Sequence, residues 1–230
     1  MMRSSEGRGV RTRFGVWRRR MMSMKRNVIV LYVAALVILV GCGTVRYPSY
    51  YTLNLPQPPD PPASASTHAT LAIHEFSAPT YLRQGAIVYK TSPEQIGFYA
   101  YQRWATDPRE VVTNAVIDRL RASEGFASVK PYDGRPDAGY VLSGRLEKLD
   151  ELDYEGGGVK VEVAISAQMT NLATGATVWT NAVSEVGEVN RRDVSAVVAE
   201  MNGTMEKAIE KLLTPVPAEA VTGSTAAKRN

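Results

Sequence analysis

Between residues 159 and 169 the chain reads VKVEVAISAQM, which puts Val159, Val161, Val163, Ile165, Ala167 and Met169 on one face and Lys160, Glu162, Ser166 and Gln168 on the other. Alternation of that kind is the period of a strand with one face buried and one face wet. The run ATVWTNAVSEV, 176–186, follows the loop NLATG at 171–175, and the pair predicts a β-hairpin. Upstream, GYVLSGRLEKLDEL at 139–152 begins with Tyr140, Leu142 and Leu146 inward and changes parity at Leu149, which predicts a bulge inside a long strand. Further β-rich runs fall at 50–55, 69–76, 86–91 and 95–104, and a short one falls near 127–132.

Two stretches switch to helical spacing. Asp107-Pro108-Arg109-Glu110 supplies an N-cap acid, a proline at the first helical position and a carboxylate three residues after the cap. Val111, Val112, Ala115, Val116 and Leu120 follow at helical intervals, and Gly125 is the predicted stop. A second helix is predicted over 190–213, with Val194, Val197, Val198, Met201, Met205, Ala208, Ile209 and Leu212 as its apolar stripe. The expected fold is therefore one α+β domain over 50–213, a mainly antiparallel or mixed sheet of seven to eight strands with two helices laid on it. The Pro-rich loop 56–67 and the Ala/Thr/Ser/Pro-rich tail 214–230 carry no such pattern.

The formal charge of +4 would suggest an acidic partner if it were evenly spread. It is not: residues 1–41 hold nine Lys and Arg and one Glu, which leaves 18 basic and 22 acidic groups in the remainder. Loss of that front segment removes the reason to expect nucleic acid. The segment reads as an export signal, with the basic start MKRN at 24–27 and an uncharged apolar run of 13 residues, VIVLYVAALVILV, at 28–40. That run is short of the roughly 20 residues a membrane-spanning helix needs. Met21 and Met24 are alternative starts to Met1.

Leu39-Val40-Gly41-Cys42 then has the residue types of a lipobox, in which a diacylglycerol is joined to the cysteine sulfur, the chain is cut before it, and the new amino group is acylated. Cys42 is the one cysteine, so no internal disulfide exists. The competing readings are a catalytic thiol, which would need a folded pocket, and a short uncleaved anchor with an incidental cysteine. Acylated Cys42 would be a stable anchor, because two or more chains are needed for one. Residues 43–49 form a tether of at most about 25 Å.

A search for reactive chemistry yields little. His68 and His74 are the two histidines, too few for a metal site without cysteine help, and His74 reads as a half-exposed strand residue. Ser143-Gly144 lies inside a strand and not in a Gly-x-Ser-x-Gly elbow, and Gly156-Gly157-Gly158 lacks the lysine of a phosphate loop. The acids Glu147, Asp150, Glu151, Asp153 and Glu155 are expected at a solvated strand end, with cation binding as the alternative. No enzymatic role, metal or cofactor is expected beyond the diacylglycerol and N-acyl group on Cys42.

The run YLRQGAIVYKTSPEQIGFYAYQRWATDP at 81–108, together with YYTL soon after Cys42 and the long terminal helix, resembles the ABC-type transport auxiliary lipoprotein family, PqiC-like subunits included. The resemblance covers about 42–213. It implies a lipoprotein of the membrane-integrity type, anchored in the outer membrane and facing the periplasm, with inner-membrane anchoring left open. It also implies a partner of the mammalian-cell-entry (MCE) type in lipid transport, and a homo-oligomeric ring as a further association. Arg83, Tyr89, Tyr99, Tyr101, Arg103 and Trp104 are then the candidate partner contacts, since Tyr, Trp and Arg are favoured at hot spots. The competing placement for Trp104 and one row of tyrosines is the core. Two other roles stay open, a structural lipoprotein of another envelope or secretion assembly and a surface enzyme acting on lipid or glycan.

Overall fold

The computed structural model describes residues 28–29, 45–58, 69–123, 125–135 and 137–214. Outside the described residues lie the predicted signal segment apart from 28–29, Cys42, most of the Pro-rich loop and the tail after Thr214. The chain divides into two compact units, Met1–Arg46 and Tyr47–Asn230. In the first, residues 28–29 are helical and residues 45–46 are exposed coil.

Among the described residues the second unit holds eight strands in one mixed sheet: β1 (Ser49–Tyr51), β2 (Thr70–Ile73), β3 (Ala86–Ser92), β4 (Gln95–Trp104), β5 (Ser128–Pro131), β6 (Tyr140–Leu152), β7 (Lys160–Asn171) and β8 (Thr177–Glu188). Its two helices are α1 (Pro108–Ala122) and α2 (Val194–Leu213), and a 3-10 helix covers Thr80–Gln84. The α+β class and the count of strands and helices agree with the periodicity.

β6 is the axis of the sheet. Antiparallel β7 runs along its whole length on one side, and β8 pairs antiparallel beyond β7. The predicted bulge is present as a register shift between Leu146 and Lys148. The other side of β6 is shared. β2 lies parallel to Tyr140–Leu142 at one end, β3 lies parallel to Asp150–Leu152 at the other, and a single bridge joins Ser77 to Arg145 between them. β5 continues the sheet beyond β2 in parallel, and β4 continues it beyond β3 as the second arm of an antiparallel hairpin. β1 adds in parallel to the end of β4. Four of the seven pairings are parallel, more than the sequence pattern predicted.

The divergences at element ends have local causes. The expected strand 50–55 shrinks to β1 because Asn54 donates its backbone N–H to Asn202 Oδ1 of α2 at 2.9 Å, and Leu53 is buried. β2 stops at Ile73 because the chain turns Phe76 inward, its N–H donated to Thr113 Oγ1 of α1 at 2.9 Å. A Cβ on Gly144 of β6 would fall inside the Phe76 ring, so that crossing needs glycine. α1 is capped by Asp107, whose carboxylate accepts the Arg109 N–H at 2.9 Å and the Arg109 guanidinium at 2.7 Å. Burial would raise that carboxyl, but the Arg109 bonds and charge hold it below the usual range. α1 ends at Ala122, before the predicted Gly125, with the Ser123 hydroxyl donating to Leu120 O. α2 starts at Val194, where Asp193 accepts the Ala196 N–H at 2.9 Å.

α2 packs over β7 and β8, while α1 packs against β5 and touches α2. The stripe from Val197 to Leu212 is buried, joined by Thr204. Leu142, Leu146, Val161, Val163, Ile165 and Met169 form the sheet side of the same core.

Candidate functional site

The stretch from Tyr81 to Trp104, which holds all six candidate contacts, folds into the 3-10 helix and the β3–β4 hairpin. Thr91 Oγ1 donates to Gln95 Oε1 at 3.1 Å across the hairpin end, next to the Pro93-Glu94 turn. Val88, Tyr89 and Lys90 stand opposite Phe98, Gly97 and Ile96. A Cβ on Gly97 would fall inside the Tyr89 ring, so glycine lets that ring lie across β4. Tyr99 meets Tyr89 edge to face, with ring centroids 5.1 Å apart and planes at 60°.

Beside the hairpin, on the neighbouring strand β6, sit two adjacent carboxylates. Asp150 is fully buried and Glu151 is 4% exposed. As neighbours on a strand they point to opposite faces. Asp150 Oδ2 meets Lys90 Nζ at 2.7 Å and accepts the Tyr81 hydroxyl at 3.4 Å, while Oδ1 has no partner among the described residues. Glu151 accepts the Tyr99 hydroxyl at 2.9 Å. Burial pushes the Glu151 carboxyl above its ordinary pKa; the Tyr99 bond and the Arg192 charge oppose that, and the Asp153 charge adds to it. Burial, then the nearby carboxylate, pushes the Tyr81 and Tyr99 phenols well above their ordinary range, so both stay protonated donors.

This placement corrects the expectation of a solvated acidic strand end. Asp150 and Glu151 are enclosed because β3 and β7 flank β6 there, with Tyr81 and Tyr99 bonded to them. The other acids are nearer the surface. Glu147 is held by Arg145 at 2.8 Å and by the Ser166 hydroxyl at 2.8 Å, Asp153 pairs with Arg192 at 3.1 Å, and Glu155 is exposed. No group of three His, Cys, Asp or Glu suited to a metal ion occurs among the described residues. His74 lies just past β2, exposed, its ring 4.1 Å from that of Tyr132.

The six candidates divide three ways. Arg83 and Arg103 are exposed and tied to the 3-10 helix, Arg83 through Thr80 Oγ1 at 3.3 Å and Arg103 through Gln84 O at 3.4 Å. Tyr101 is exposed, while Tyr89 and Tyr99 are half-buried and shape the hairpin. Trp104 is 6% exposed within the main core, so its ring is withdrawn from the surface and it drops out of the contact set. Two surface residues escaped the sequence reading, Ile96 at 39% and Phe98 at 38% exposure. Their apolar character was visible, but their exposure was not, since alternation along β4 alone does not say which face is covered.

The hairpin thus presents apolar and aromatic side chains and free strand backbone on a braced frame. A separate open concavity of about 620 Å³, lined by Ser143, Arg145, Ser166, Gln168, Thr180 and Asn181 among others, offers hydroxyls, two amides and a guanidinium but no histidine. In that concavity the Ser166 hydroxyl donates to the Glu147 carboxylate, which Arg145 also holds at 2.8 Å.

The family model described as "ABC-type transport auxiliary lipoprotein component" matches residues 51–212. No curated protein matches the chain. Among solved structures, a Xanthomonas campestris protein of the family model DUF330 superposes with a TM-score of 0.63 at 15% identity, covering 79% of this chain and 99% of its own. A second, an uncharacterized protein, gives a TM-score of 0.57 at 14% identity over 75% of this chain and 100% of its own. At such identities these two likenesses speak for the fold alone.

Proposed function

Because the chain belongs to the family of ABC-type transport auxiliary lipoprotein components, we propose that it is a non-catalytic subunit of an MCE-type lipid transport system. It is held in the outer membrane by acylated Cys42, faces the periplasm and docks the transport complex at the membrane surface. The observation that carries this reading is the exposed, uncharged run holding Ile96, Phe98 and Tyr101 on a hairpin tied to β6 by Tyr99–Glu151 on one face and Lys90–Asp150 on the other. Bracing of this kind favours a binding surface, because less side-chain and loop freedom is lost on association. The reading also draws on the lipobox and the short tether, which keep the domain close to its membrane.

The test is affinity capture of the full lipidated chain from solubilised envelopes, with mass spectrometry of what is retained. Recovery of an MCE-type protein together with its permease or ATPase is the expected result. Capture of components of a different envelope or secretion assembly in their place would replace this reading by the structural one.

A further inference from the structure

Exposed strand edges are templates for other strands, and natural sheets guard them with short length, charge or proline. Three edges of this sheet are guarded in that way. β1 is three residues long, β5 carries Lys130 and Pro131, and β8 carries Glu185 and Glu188. β4 differs. From Gln95 to Tyr101 its outer side has no strand partner among the described residues, since β1 covers only Gln102–Trp104. That stretch holds neither a charged residue nor a proline, and it displays Ile96, Phe98 and Tyr101.

Resting on the docking role proposed above, we infer that the free edge of β4 binds an extended, uncharged segment of the transport partner by strand addition. In that mode main-chain hydrogen bonds give affinity and alternate side chains give specificity. The edge already accepts β1 in parallel just beyond Tyr101, so its backbone is presented for pairing. A charge on the incoming segment would lose water without meeting an opposite charge between Gln95 and Tyr101, so the match is an uncharged segment with apolar residues at alternate positions.

The shape of the edge favours a flexible segment over a second copy of this chain. Val88 pairs with Phe98 but Ala86 pairs with Arg103, so β4 carries extra residues after Phe98 and departs from a regular ladder there. A rigid copy would have to match that irregularity over roughly 24 Å of strand at about 3.4 Å per residue. Two such edges alone would also fall short of the roughly 1,200 Å² that a stable interface buries. An unfolded segment can follow the backbone as it pairs.

Single substitutions Ile96→Cys, Phe98→Cys and Ala100→Cys in the full-length chain, oxidised in cells against a cysteine scan of the MCE-type partner, test the inference. Strand addition predicts that the linked position on the partner moves by two residues from Ile96→Cys to Phe98→Cys, where β4 is regular, and continues in the same direction at Ala100→Cys beyond the irregularity. It also predicts that Ile96→Lys with Phe98→Lys lowers the linked complex about tenfold or more without changing the thermal midpoint, while Ile96→Val with Phe98→Tyr retains it. Linked positions three or four residues apart on the partner for Ile96→Cys and Phe98→Cys, links only between two copies of this chain, or an undiminished complex with the double lysine variant would each overturn it. A partner that is captured yet links elsewhere refutes strand addition and leaves the docking role standing, whereas capture of no MCE-type protein by the unaltered chain refutes both.

Discussion

Replacing Tyr99 with phenylalanine deletes one oxygen and keeps the ring that meets Tyr89, so it isolates the bond to Glu151. Glu151 is 4% exposed, and water does not readily take the place of the lost hydroxyl. A hydrogen bond to an ionised group contributes about 1.5–3 kcal/mol and one between neutral groups about 0.5–1.5 kcal/mol. The expected loss is therefore about 2 kcal/mol with Glu151 ionised and about 1 kcal/mol with it protonated. In a domain of this size that corresponds to roughly 4–8 °C and 2–4 °C in Tm. The direction with pH follows from linkage. Burial raises the Glu151 carboxyl in the folded state, so its contribution to stability is fully present below the unfolded pKa and is lost as pH rises through the folded pKa. Without the Tyr99 hydroxyl, one of the two opposing influences is gone, the carboxyl rises further, and the gap between variant and parent widens as pH increases. Urea unfolding followed by tryptophan fluorescence at about pH 4 and about pH 8 reads both quantities. Equal losses at the two pH values, or a loss at high pH below about 0.5 kcal/mol, would refute this reasoning.

Lys90→Met should destabilise more, by about 3–5 kcal/mol, because it leaves the fully buried Asp150 with only the Tyr81 hydroxyl; Asp150→Asn in the same chain should recover part of that in a double-mutant cycle. Gly144→Ala should cost about 1–3 kcal/mol by driving a methyl into the Phe76 ring, measured as a fall in Tm, and a smaller residue at 76 should relieve the clash while opening a cavity. Cys42→Ser should abolish metabolic labelling with palmitate and release the chain from the membrane fraction, and retention of label would remove the anchor from the account.

Most of the sheet was legible because one-sided burial imposes strict alternation. β7 is the clearest case, and the parity change from Leu146 to Leu149 marked the bulge in β6 correctly. Helix α2 was legible from its stripe, although its first turn begins at the Asp193 cap and not at 190. Partner choice was not legible. Nothing in the composition of 69–76 or 86–91 says that β2 and β3 share one side of β6, since that depends on the Phe76 crossing over Gly144. The same long-range pairing hid the burial of Asp150 and Glu151, two acids in a run that reads as surface. At the candidate site the aromatic residues stood out, but residue type could not separate Trp104, which packs inside, from Phe98, which faces solvent.

The surface that remains once Trp104 is withdrawn is the one on which the account stands. Photocrosslinking from Phe98 and from Tyr101 in living cells, with mass spectrometric identification of the adduct, tests it most directly. An MCE-type transport protein linked at both positions, with no such link from a probe on the opposite edge strand at Val186, is the predicted result. Adducts with only unrelated envelope proteins, or equal linking from Val186, would contradict the assignment of the β3–β4 hairpin as the docking surface.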